Sequence, residues 1–97
     1  MLQGRPLTGR RAKVLVSRGA LLFDTRDPVD FRNGTIAGAV NLHLRQVPAL
    51  TKYPRNTDMV FFGSAPDDDT LKTVVNYVIQ YGFTNVYILN SLDDWGK

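Results

Sequence analysis

Three consecutive carboxylates, Asp67, Asp68 and Asp69, stand just ahead of an apolar-periodic stretch, with Ser64 shortly before them. Three kinds of chemistry suit such a run. Carboxylates at a helix start accept its free amides and complement its dipole, worth about 0.3–1 kcal/mol each when exposed. They could instead form an acidic knob that meets a protein partner. They could also hold a divalent cation, but consecutive Asp side chains diverge and hard cations take several converging oxygens. Capping is the reading the pattern favours, and neither metal nor cofactor is expected. Ser64 would need an adjacent base to become a nucleophile. The one histidine, His43, lies past a different strand. Ser64 is therefore read as a loop hydroxyl serving the backbone, and His43 as an ordinary, partly exposed histidine. The chain has no cysteine, which excludes disulfides, thiolate metal sites and persulfide carriers together.

Two further charged groups stand out. Asp24 and Arg26 flank Thr25 at the end of an apolar run, where an ion pair would brace the strand end. Arg10, Arg11, Lys13 and Arg18 form a basic cluster near the start. Charge is uneven on the larger scale. Residues 1–55 hold ten Lys/Arg against three Asp, +7, and residues 56–97 hold two Lys against six Asp, −4. A basic half can meet nucleic acid, anionic lipid or an acidic protein patch, or simply be a solvated face. No aromatic residue interleaves with the first arginines, which argues against stacking on nucleic acid.

The elements that must position these groups follow from periodicity. Thr8 reads as an N-cap and Gly9 to Arg18 as a helix, with Ala12, Leu15 and Val16 on one face. Val14 and Val16 also permit a strand over Lys13 to Val16. A short edge strand is expected around Gly4 to Leu7. Ala20 to Phe23 and Met59 to Phe62 are apolar runs without alternation, the mark of strands buried on both faces. Ala39 to Leu42 and Val86 to Leu89 read as further strands. Asp27-Pro28 starts a turn that ends at Asn33-Gly34. His43 to Leu50 reads as a short helix interrupted by Pro48. A helix over Asp69 to Tyr81 carries an apolar stripe of Leu71, Val74, Val75, Val78 and Ile79, and Gly82 suits the left-handed residue past its end. Leu92 to Trp95 begins a last helix. Trp95 reads as a core lid or C-terminal anchor. Strands alternating with helices predict a three-layer α/β domain, with a mainly parallel sheet of about five strands and helices on both faces.

Ninety-seven residues at 43% hydrophobic content suit one small globular domain, read as 1–97. No run of 18 apolar residues occurs, so no membrane span is expected. The first 20 residues are basic and lack a signal-peptide apolar stretch, so the cytoplasm is the default location.

Several segments, in order, resemble the rhodanese family of sulfurtransferases. Leu22-Phe23-Asp24-Thr25-Arg26 is similar to its "hydrophobic-hydrophobic-Asp-x-Arg" strand end. Asp30-Phe31 followed by Gly34-Thr35-Ile36-Ala37-Gly38-Ala39 resembles "E-F-x-x-G-H-I-P-G-A". Gly82-Phe83 to Leu89 resembles "G-F-x-x-V-x-x-L", and Asn90 to Trp95 resembles "G-G-x-x-x-W". The resemblance is clearest over 21–95. It implies that Met59 to Phe62 delivers an active-site loop similar to "C-R-x-G-x-R-S". Here that loop is Gly63-Ser64-Ala65-Pro66-Asp67-Asp68-Asp69-Thr70. The thiol position is Gly63, both arginines are gone and three carboxylates have arrived. The signature His is Thr35 and the signature Pro is Ala37.

The family reaction needs a thiolate that carries sulfane sulfur, held by loop amides and a helix N-terminus. Gly63 offers no nucleophile, so the resemblance implies a degenerate loop with no catalytic residue, and three carboxylates at its mouth repel anions. The expected role is a catalytically inactive protein-binding or regulatory module. Its contact surface would be Arg10, Arg11, Lys13 and Arg18, or Asp67, Asp68 and Asp69, or both through self-association. One alternative is a sulfurtransferase-related enzyme with relocated or partner-supplied chemistry. Another is an anion or nucleic-acid binder using the basic half.

Overall fold

The computed structural model describes residues 4–65, 67–89 and 95. Five strands form one sheet: β1 (Arg5–Leu7), β2 (Leu21–Asp24), β3 (Val40–Asn41), β4 (Met59–Phe62) and β5 (Val86–Leu89). Their spatial order is β1-β5-β4-β2-β3, and every pairing is parallel. Parallel neighbours require crossovers, and these are supplied by α1 (Gly9–Ser17), α2 (Pro28–Asn33), a 3₁₀ helix (Leu44–Lys52) and α3 (Asp69–Gln80).

The chain steps one way from β1 to β2 to β3, then reverses to β4 and β5. Right-handed crossovers therefore put the early connections on one face and the late ones on the other. The two cores record this. Ala12, Leu15 and Val16 of α1 pack with Leu22, Val60, Phe62 and Leu89. Leu71, Val74, Val75 and Val78 of α3, with Val47 and Leu50 of the 3₁₀ helix, pack on Phe23, Met59, Phe61 and Val86. Alternate residues of β4 thus serve opposite cores, which is why its sequence is apolar without alternation. All four β4 residues are fully buried. Phe23 and Phe61 stack across the β2–β4 register at 5.1 Å.

Local chemistry accounts for the helix limits. The Thr8 hydroxyl accepts the Arg11 amide at 3.3 Å and starts α1, so Lys13 to Val16 is helix rather than strand. Pro28 takes the first position of α2, where no amide is needed. The stripe of α3 lies inward as its spacing predicts, and Gly82 follows with φ +96°, a conformation that favours glycine.

The segment after His43 differs from expectation. It continues through Pro48 as a 3₁₀ helix rather than breaking there. Leu44, Val47, Leu50 and Tyr53 recur every third residue and all face the α3-side core. That period matches three residues per turn. The Thr51 hydroxyl donates to the Pro48 carbonyl at 2.8 Å, closing the turn beside the residue that lacks an amide. Residues 90–94, where the last helix was expected to begin, lie outside the described part. Trp95 packs against the α1-side core, with the Lys13 ammonium 5.7 Å from its ring centre.

Candidate functional site

The reversal of chain direction falls between β2 and β4, so the crevice of the fold opens at their carboxyl ends. Two segments meet there: Asp24 to Arg26 and the loop from Gly63.

Asp24 is fully buried and its carboxylate is closed by donors. Arg26 contributes its amide at 2.9 Å, its Nε at 3.1 and 3.2 Å and its Nη2 at 2.9 Å. The Thr35 hydroxyl donates at 2.8 Å. The guanidinium also donates to the Gly34 carbonyl at 2.6 Å. Hydrogen bonding to Asp24 holds Arg26 above its ordinary pKa, against a smaller opposing effect of burial. Asn41 Nδ2 bridges the Asp24 and Arg26 carbonyls at 3.0 and 2.9 Å. The pair forms as its spacing predicts. The parts played by Thr35 and Asn41 carry no sequence signal beyond Thr35's place in the resemblance, where the family has His.

Thr25 joins the two strand ends. Its amide and hydroxyl both donate to the Phe62 carbonyl, at 2.9 and 3.1 Å. This double clasp fixes the backbone just before Gly63. The space a side chain at Gly63 would need is bounded closely. An added Cβ would lie 3.2 Å from Thr25 Oγ1, 3.3 Å from Leu71 Cβ and 3.4 Å from Asp68 Oδ2.

The three carboxylates do not act alike. Asp68 is the N-cap of α3, with Oδ1 accepting the Thr70 and Leu71 amides at 2.8 and 3.3 Å. Its Oδ2 turns back and accepts the Ser64 amide at 3.4 Å. Asp67 and Asp69 are exposed. The carboxylates therefore do not converge, and no group of three Asp or His side chains suited to a metal occurs among the described residues. Ala65 accepts the Asp68 amide through its carbonyl at 3.1 Å, which closes the loop, and Pro66 lies outside the described residues.

Beside the loop is a cleft of about 290 Å³ lined by Thr25, His43, Leu44, Asp69, Thr70, Thr73 and Val74. His43 is engaged there as a cap. Its Nδ1 accepts the Arg45 amide at 3.2 Å, and its own amide donates to Gln46 Oε1 at 2.7 Å. That capping box went unread in the sequence, although His and Gln stand at its spacing. Arg10, Arg11, Lys13 and Arg18 are exposed on or at the end of α1. They lie on the opposite side of the sheet from α3 and its acidic lead-in, so the structure does not bring the two charged groups together.

Comparison with known proteins fits this geometry. The family model for rhodanese-like domains matches residues 10–97. The single-domain sulfurtransferase RDL2 of Saccharomyces cerevisiae is similar in structure, with a TM-score of 0.74 and 20% identity, over 98% of this chain and 90% of that one. The Alr3790 protein of Anabaena sp. gives 0.75 at 22% identity, over 91% and 82%. A rhodanese-like domain protein of Staphylococcus aureus gives 0.72 at 20% identity, over 96% and 92%. No curated protein matches the chain.

Proposed function

We propose that this chain, which belongs to the rhodanese-like family, is a non-catalytic member that works by binding a protein. One observation carries the reading. The Asp68 carboxylate takes amides from both sides of the loop, Ser64 before it and Thr70 and Leu71 after it. Amides at a helix start are the groups that would hold an anionic ligand, and here a tethered carboxylate already occupies them. Its Oδ2 also borders the place where a side chain at Gly63 would begin. With no cysteine in the chain, the loop offers neither a thiol nor a free anion seat. Asp67 and Asp69 add negative charge at the same mouth. The exposed, charged faces of α1 and of the loop remain as the surfaces with something to recognise.

An amide NMR titration with thiosulfate and then phosphate tests the reading, together with a thiosulfate-to-cyanide assay. Residues 63–70 should give no saturable shifts, and turnover should equal buffer. Saturable shifts confined to that loop, or turnover clearly above buffer, overturn it.

A further inference from the structure

Two helix faces lie open on opposite sides of the sheet, and their chemistry matches. On and at the end of α1, Arg10, Arg11 and Arg18 are exposed, and Val14 among them is 45% exposed. No carboxylate among the described residues pairs with these guanidinium groups; the ion pair found there is Arg26–Asp24. Arg10 and Arg11 moreover stand in the first turn of α1, where cations oppose the helix dipole. On α3, Asp69, Thr73 and Tyr77, continued by Tyr81 at the C-cap, recur every fourth residue and are all exposed. Side chains four apart lie along one ridge of a helix. A carboxylate followed by two open tyrosine rings suits arginine, which forks onto carboxylates and stacks on aromatic faces.

We infer that the protein this domain binds is a second copy of the same chain, with α1 of one copy laid along α3 of the next. The inference rests on the protein-binding reading above. The reach of the two faces agrees. Arg10 to Arg18 and Asp69 to Tyr77 are each eight positions apart, about 12 Å at ~1.5 Å per residue. With the helices running the same way, Arg10 and Arg11 reach Asp67 and Asp69 while Arg18 reaches Tyr77. Val14 then faces the level of Thr73. Carboxylates of the neighbour neutralise the arginines at the α1 start, which no carboxylate among the described residues of their own chain does. Because α1 and α3 cover opposite sides of the sheet, no copy can satisfy its own pair, and the contact is heterologous. Such contacts extend head to tail into rings or open chains.

Sedimentation of the chain over a concentration series, at low and at high salt, tests this. The weight-average mass should rise with concentration above the 10.9 kDa monomer at low salt and fall back at high salt, because exposed charges are screened. Arg10→Glu/Arg11→Glu and Asp67→Asn/Asp69→Asn, each confirmed folded by its amide spectrum, should each weaken self-association roughly tenfold or more. The two variants mixed should form a 1:1 pair and nothing larger, since one good surface survives on each. A wild type that stays monomeric throughout overturns the second-copy assignment, as does association undiminished in either variant. Neither result touches the thiosulfate assay, so a failure here is distinguishable from a failure of the non-catalytic reading.

Discussion

The ends of β2 and β4 are neighbours on one sheet edge, yet they have been kept in opposite ways. At β2 the polar group is sealed. Asp24 is fully buried, and three groups of Arg26 and the Thr35 hydroxyl close its carboxylate. At β4 the polar group is substitutive. Gly63 has no side chain, and Asp68 turns back from α3 to accept the amides that surround it. A buried carboxylate with four donors cannot lose a partner cheaply, so the β2 end must stay as a unit. A loop at a helix start needs only some anion on its amides, and a carboxylate from its own chain suffices. The β2 end is therefore a closed polar unit, whereas the β4 end is a loop whose amides are served by a carboxylate from the next helix.

Removing each carboxylate in turn separates the two cases. Asp24→Ala should cost about 1–3 kcal/mol in urea unfolding, since it leaves the Thr35 hydroxyl and the Arg26 amide and guanidinium without their acceptor. A loss below about 1 kcal/mol would mean that Gly34 and solvent hold Arg26 as well as Asp24 does, and the contrast between the ends would collapse.

A thiol introduced at Gly63 sharpens the same comparison on the β4 side. Gly63→Cys must press by a few tenths of an ångström on Thr25, Leu71 and Asp68, and its sulfur would lie near the Asp68 carboxylate. At ~5 Å and an effective dielectric of ~20–80, that repulsion is roughly 0.8–3 kcal/mol. The carboxylate disfavours thiolate, so the thiol pKa rises. Adding Asp68→Ala should lower it again and increase the thiolate fraction roughly 4- to 150-fold, at a cost of about 1 kcal/mol for the lost cap. Alkylation rate against pH measures both. Identical profiles for the single and double variants would remove Asp68 from the anion seat.

Much of this edge is legible in the sequence. The unalternating runs of β2 and β4 named the central strands because both faces are covered, and the stripe of α3 named its buried side. Asp24 and Arg26 revealed their pairing by spacing alone. What stayed hidden was long-range or directional. Thr35 and Asn41 reach Asp24 from 11 and 17 positions away, the latter through its register opposite Asp24 in the β2–β3 pairing. The Asp run announced a cap but not which carboxylate caps, nor that one oxygen turns back to Ser64. The helix after His43 was legible but its type and its run through Pro48 were not, although Leu44, Val47, Leu50 and Tyr53 keep the period of three that marks a 3₁₀ helix.

The start of α1 supplies the smallest effect and the sharpest contrast with α3. Both helices are opened by a side-chain cap, Thr8 in one and Asp68 in the other. Asp69 follows in the first turn of α3, whereas Arg10 and Arg11 occupy the first turn of α1 with no acidic residue. Position 11 is the third after Thr8, where Glu would complete a capping box with the threonine. Arg10→Glu/Arg11→Glu should therefore raise stability by about 0.3–1 kcal/mol per site at low salt, and less as salt increases. Thermal unfolding of the isolated monomer at two ionic strengths reads this directly. A gain means the wild-type sequence holds two arginines where its own helix favours carboxylates, as a contact with a second copy at α1 predicts. No gain, at a position where the dipole and the cap both favour the change, would mean that the arginines cost the fold nothing and that the case for a partner at α1 rests on charge complementarity and reach alone.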